Sequence, residues 1–97
     1  MKQLVTLLLA LFILTTAAAQ ETKIIAHRGA WKNTHAPQNS IAALQEAIKQ
    51  EVWGSEFDVH MTKDGILVVN HDNDFYGIDI ATSTYEELLV KKHPNGE

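Results

Sequence analysis

Beyond residue 20 the apolar and polar positions follow two different periods, and each period predicts its own kind of element. Lys23-Ile24-Ile25-Ala26 is a short apolar run without alternation, which predicts a buried strand, and it breaks off at His27-Arg28-Gly29. Trp31 to Asn39 carries Asn33, Pro37 and Asn39 and reads as a loop, with Asn39 or Ser40 suited to cap a helix. From Ser40 to Glu51 the spacing is helical: Ile41, Leu44 and Ile48 share a face with Ala47 beside them, while Gln45, Glu46, Lys49 and Gln50 face away. After Val52-Trp53-Gly54 the period drops to two across Ser55 to His60, with Phe57 and Val59 on one side and Glu56, Asp58 and His60 on the other. Thr62-Lys63-Asp64-Gly65 predicts a tight turn, Ile66 to Val69 a further buried strand ending at Asn70-His71-Asp72, and Ser83 to Glu86 a capping box for a second helix through Val90. Lys91, Lys92 and His93 suit the last turn of that helix, and Pro94-Asn95-Gly96 stops it. Strands alternating with helices predict an α/β chain with a mainly parallel sheet, and these elements are too few to close one.

The first residues belong to a different pattern. Lys2, the apolar run from Leu4 to Leu14 and the small residues ending at Ala19 predict a cleaved secretory signal over 1–19, because a membrane span needs roughly 20 apolar residues. The expected product begins at Gln20, is exported to the periplasm or secreted, and keeps no stable membrane anchor. Losing Lys2 turns 8 basic and 12 acidic residues into 7 and 12, a net charge of −5 with histidine neutral, so nothing points to nucleic acid. Of the 97 residues none is cysteine, which excludes disulfides and thiolate metal sites and leaves oxygen and histidine as metal donors. A chain this short buries only roughly 60% of its unfolded surface.

Three strand ends deliver polar groups toward what could be one place: His27 and Arg28 after the first, Glu56 and Asp58 on the second, His71 after the third. Such convergence marks a site at the C-terminal rim of parallel strands. Two carboxylates two residues apart on a strand project to the same side and can chelate a hard cation such as calcium or magnesium. In order and approximate spacing, His27-Arg28-Gly29, Pro37-x-Asn39, Glu56-x-Asp58-Val59, Thr62-Lys63-Asp64-Gly65 and Val69-x-His71-Asp72 resemble the glycerophosphodiester phosphodiesterase family. The resemblance implies the N-terminal portion, over 20–97, of a TIM-type (β/α)8 barrel of about 250 residues, incomplete in this chain. It implies hydrolysis of small-molecule glycerophosphodiesters to glycerol 3-phosphate and an alcohol. His27 and His71 resemble the general acid and base, Arg28 the phosphate-binding group, and Glu56 and Asp58 two ligands of a divalent metal ion, calcium or magnesium. The family usually has Glu where this chain has Gln38, and its third acidic ligand lies on a strand beyond Glu97.

Blander readings stand beside these. His60 shares the strand face of the acids and is expected to support them rather than bind metal; His35 is expected to be solvated; Asp72, Asp74 and Lys63-Asp64 are expected to serve turns. Trp31 reads equally as a substrate-facing wall or a cover for the rim. The rival for the whole chain is a truncated, catalytically inactive fragment or a small metal-binding or assembly module, with self-association through open strand edges.

Overall fold

Ser40 begins the longest element. Its side chain accepts from the Ala43 N–H at 3.0 Å and donates to the Pro37 carbonyl at 2.6 Å, so the loop and the first helical turn are tied through one hydroxyl. The computed structural model describes residues 2, 3, 5, 6 and 21–97. In it helix α1 runs Ile41–Lys49 between strands β1 (Ile25–His27) and β2 (Gly54–Glu56). The signal expected over 1–19 lies outside the described residues apart from those four positions. Among the described residues no helix is long and apolar enough to cross a membrane.

Strands β1 and β2 pair in parallel, with Ile25 opposite Gly54, Ala26 opposite Ser55 and His27 opposite Glu56. A parallel pair needs a crossover, and α1 supplies it. Strands β3 (Val59–Met61) and β4 (Leu67–Val69) form an antiparallel hairpin, in register Val59 to Val69. Its turn closes with Gly65 N–H on the Thr62 carbonyl at 3.0 Å and Ile66 N–H on Thr62 Oγ1 at 3.0 Å. A second, small hairpin joins β5 (Asp74–Phe75) to β6 (Ile78–Asp79) through Tyr76 and Gly77, both at positive φ, as a type I′ two-residue turn requires. Helix α2, Tyr85–Leu88, ends the order. Helices and strands are mixed, with five strands in succession after α1, and where a mainly parallel sheet was expected one pair is parallel and two are antiparallel; these three two-stranded sheets close no barrel among the described residues.

Four expectations change. The strand expected across Ser55–His60 is two strands, β2 and β3. The backbone leaves the ladder at Asp58, whose N–H is taken by Asn39 Oδ1 at 3.2 Å instead of by a strand neighbour. The α1 face in contact is Ala43 and Ala47, whereas Ile41, Leu44 and Ile48 stand 66%, 47% and 66% exposed. Small residues win there because Gly29 lies against the helix: a Cβ at Gly29 would sit 2.6 Å from Ala43 Cβ, closer than real Cβ atoms come. The apolar strands expected to be buried are also uncovered, with Ile24, Ile25 and Leu67 more than half exposed. The capping box moves one residue, to Thr84 as cap and Glu87 as its reciprocal partner.

The buried apolar residues include Ile80, after β6, and Leu88, on α2; the buried polar residues are Thr62, at the hairpin turn, and Ser83, just before that helix. Asp64 fastens this end, its Oδ1 accepting from both the Thr62 hydroxyl and the Tyr85 N–H. Covering one large aliphatic side chain is worth about 1.5–3 kcal/mol. The exposed β1, β3, β4 and α1 side chains therefore hold more unrealised burial energy than Ile80 and Leu88 supply.

Candidate active site

Register brings the first two groups together. Because His27 is the strand partner of Glu56, His27 Nε2 lies 3.8 Å from Glu56 Oε2, and the same oxygen accepts the Arg28 backbone N–H at 3.0 Å. Arg28 sits at φ 60 and Gly29 at φ 80, a left-handed pair that turns the chain off β1. For a non-glycine residue this conformation costs of order 1–3 kcal/mol and persists where surrounding contacts fix it. Here one fixing contact is the Asn39 N–H, which donates to the Arg28 carbonyl at 2.9 Å from a residue that is itself at φ 58.

The Arg28 side chain is mostly enclosed. Its Nη1 donates to Gln38 Oε1 at 2.6 Å, its Nε lies 4.0 Å from Asp58 Oδ2, and that Nε is buried without a hydrogen-bond partner. A buried guanidinium donor left open is costly unless something polar completes it. Asp58 is held by Asn39, which donates Nδ2 to Oδ2 at 3.0 Å and receives the Asp58 backbone N–H. That side-chain hydrogen bond keeps the Asp58 carboxyl below its ordinary value; the charges of His71 and Arg28 and a hydrogen bond with Glu56 act in the same direction, and burial acts against them.

His71 arrives by the other pairing. Asn70 N–H donates to the Asp58 carbonyl at 3.0 Å, extending the β3–β4 ladder so that His71 comes directly beyond Asp58. Its Nδ1 meets Asp72 Oδ1 at 2.6 Å, which sets the ring's direction and leaves Nε2 toward open space. His60 Nε2 lies 3.1 Å from the His71 carbonyl, which can only accept, so that nitrogen carries the proton and ties β3 to the end of β4.

Of the residues singled out for chemistry, His27, Arg28 and Glu56 meet at the end of β1, Arg28 reaches Asp58, and His71 is brought beside Asp58 by the β3–β4 ladder. Asn39 and Gln38 join them. Neither was chosen from sequence as a site residue, although both lie in the Pro37-Gln38-Asn39 element. Asp74 accepts the Gly77 N–H at 3.0 Å and so serves its turn, as Asp64 does. Trp31 donates its indole N–H to the His27 carbonyl at 3.1 Å. The carboxylates of Glu56 and Asp58 are the hard-oxygen donors that calcium or magnesium takes, so they fit part of such a site. No group of three or more His, Asp or Glu able to hold a metal is assembled among the described residues.

Comparison with known proteins identifies the family of this chain. The profile of the Glycerophosphoryl diester phosphodiesterase family matches residues 27–92. The chain is 52% identical over 52 residues to a glycerophosphodiester phosphodiesterase of Caldanaerobacter subterraneus, covering 54% of this chain and 21% of that one. It is 41% identical over 73 residues to a glycerophosphodiester phosphodiesterase of Bacillus altitudinis, covering 69% and 29%. The crystal structure of a glycerophosphodiester phosphodiesterase from Parabacteroides distasonis superimposes with a TM-score of 0.73 at 52% identity, over 77% of this chain and 32% of that one. The chain therefore spans less than a third of the length of these three relatives.

Proposed function

The chain belongs to the glycerophosphoryl diester phosphodiesterase family, and from that premise we propose that it carries part of the active site of an enzyme that hydrolyses glycerophosphodiesters to glycerol 3-phosphate and an alcohol. The observation that supports this most directly is the unpartnered Arg28 Nε, buried 4.0 Å from Asp58 Oδ2, with His27 and Glu56 meeting beside the Arg28 backbone. A phosphodiester oxygen completes that donor, and the planar guanidinium, steadied through Nη1 by Gln38, offsets the charge that develops on phosphorus-bound oxygens. Glu56 and Asp58 would hold a divalent cation, which when bound polarises the phosphoryl group. Asn39 keeps Asp58 aimed at that position and Arg28 N–H does the same for Glu56.

Of the two histidines, one takes the proton of the attacking water or hydroxyl and the other gives a proton to the departing alcohol oxygen. The phosphorus–oxygen bond to the alcohol breaks with its electron pair left on that oxygen. The Asp72 contact fixes which His71 nitrogen can serve. In this reading the described elements are the opening part of a TIM-type barrel, whose remaining strands would cover the exposed faces of β1, β3 and β4. The apolar leader would deliver the protein beyond the cytoplasmic membrane.

The test is glycerol 3-phosphate release from glycerophosphoglycerol and glycerophosphocholine by the purified chain, with calcium, magnesium or a chelator, alongside His27→Ala and Glu56→Ala. We expect chelator-sensitive release that both substitutions abolish. A folded, metal-supplied chain that releases nothing would overturn the reading for this polypeptide and favour the inactive module.

A further inference from the structure

Arg28, Glu56 and Asp58 are each held by a neutral partner. Among the described residues the Arg28 guanidinium makes one hydrogen bond, from Nη1 to the Gln38 amide oxygen at 2.6 Å. Asp58 Oδ2 accepts from the Asn39 amide Nδ2 at 3.0 Å. Glu56 Oε2 accepts the Arg28 backbone N–H at 3.0 Å instead of its guanidinium. Arg28 Nε, buried without a hydrogen-bond partner, stops 4.0 Å from Asp58 Oδ2. A guanidinium and a carboxylate that bond to each other close to about 2.7–2.9 Å, so these two charges face one another without pairing.

The two amides that intervene belong to adjacent residues on one fixed loop. Ser40 Oγ donates to the Pro37 carbonyl at 2.6 Å and accepts the Ala43 N–H at 3.0 Å, which ties that loop to the first turn of α1. Asn39, at φ 58, gives its backbone N–H to the Arg28 carbonyl at 2.9 Å and takes the Asp58 N–H on Oδ1 at 3.2 Å. It thus bridges the backbones of both charged residues and sets their spacing. The side chains of Arg28 and Asp58 are only 20% and 31% exposed, so water screens their attraction incompletely. Enclosed charges ordinarily pair with one another. Here closing the gap would cost the Gln38 bond on one side and the Asn39 bond on the other.

We propose that Gln38 and Asn39 are positioning residues that keep these opposite charges apart, leaving Arg28 free for an anion and Asp58 free for a cation. The use of that separation in turnover rests on the hydrolase reading. The separation itself is a property of the ligand-free chain and is tested there.

The experiment titrates calcium alone into the metal-free whole chain by calorimetry. We expect the parent to bind with a dissociation constant on the order of millimolar. Asn39→Gly, which keeps the left-handed backbone, and Gln38→Ala should each weaken calcium at least about fivefold, because Arg28 then closes on Asp58. In an Arg28→Gln background, where nothing positive can close, the same two substitutions should cost less than about twofold. Gln38→Ala sits in a loop without a left-handed requirement and carries the test if Asn39→Gly fails to fold. The Arg28 Nε–H proton, followed by NMR without ligand, should move downfield in both single variants as it gains a charged acceptor. Equal calcium losses in the two backgrounds would mean that the amides only aim Asp58, and would overturn the proposal. An unmoved Arg28 Nε–H signal overturns it too, as does a parent that takes up no calcium at about 20 mM. Glycerol 3-phosphate release from glycerophosphoglycerol, measured on the same samples, separates the two ideas. Coupling of Gln38 and Asn39 to Arg28 without hydrolysis defeats the enzyme and leaves the charge separation, whereas hydrolysis without coupling does the reverse.

Discussion

Arg28→Lys isolates the contribution of a planar guanidinium from that of its charge. Arginine at this position divides its donors: Nη1 is spent on Gln38 at 2.6 Å, while Nε is buried without a hydrogen-bond partner, 4.0 Å from Asp58 Oδ2. A lysine keeps the positive charge and occupies the left-handed backbone at the same cost, but its single ammonium cannot bond Gln38 and also reach a phosphodiester oxygen from a second direction. At least one hydrogen bond between charged groups is lost, worth about 1.5–3 kcal/mol. At 1.36 kcal/mol per tenfold change this is roughly a 10- to 150-fold fall in kcat/KM. If the bond strengthens as charge moves onto the phosphorus-bound oxygens, most of the fall lies in kcat; if it serves substrate and transition state equally, it lies in KM. Initial rates of glycerol 3-phosphate release across a substrate series at fixed metal concentration separate the two, with a thermal melt of each variant as the control for folding. A lysine variant within about threefold of the parent in kcat/KM, equally folded, would refute the assignment of Arg28 to the phosphate, since charge alone would then suffice.

Two further outcomes test how the site is held in place. Gly29→Ala should destabilise the chain by about 2–4 kcal/mol, combining a left-handed φ with a collision on the Cβ and the backbone carbonyl of Ala43, so that adding Ala43→Gly cannot restore the parent stability; a Gly29→Ala chain whose urea midpoint matches the parent would sink the close-approach argument. The Asp64 carboxyl is held below its ordinary 3.8 chiefly by the Thr62 hydroxyl, with the Tyr85 N–H assisting and burial opposing. A depressed folded value means its stabilisation is fully present above the unfolded pKa and is lost as pH falls through the folded one. Asp64→Asn should therefore be less stable than the parent at about pH 7 and should lose less on going to about pH 3; denaturation midpoints with parallel pH profiles would contradict this.

Local chemistry was legible in the residues themselves. The helical period over Ile41–Lys49, the loop before it, the Asp64-Gly65 turn and the polar strand ends at His27, Glu56, Asp58 and His71 were all readable, because each rests on neighbours a few positions apart. The ordered motifs named a family that the profile match over residues 27–92 independently reached. Tertiary structure decided what depends on residues far apart. Pairing of β1 with β2 set His27 opposite Glu56, and Asn39 reached across 19 positions to interrupt the expected strand at Asp58. Gly29 lying against Ala43 decided which face of α1 is covered, a choice hydrophobicity alone assigns to Ile41, Leu44 and Ile48. The Phe75, Tyr76 and His93 rings, which meet edge to face, likewise come from a β-hairpin and a distant histidine that share no motif. Periodicity records the local preference of a segment for an element and a face, whereas register, left-handed turns and side-chain bridges are fixed only when separate segments compete for the same backbone donors and the same space.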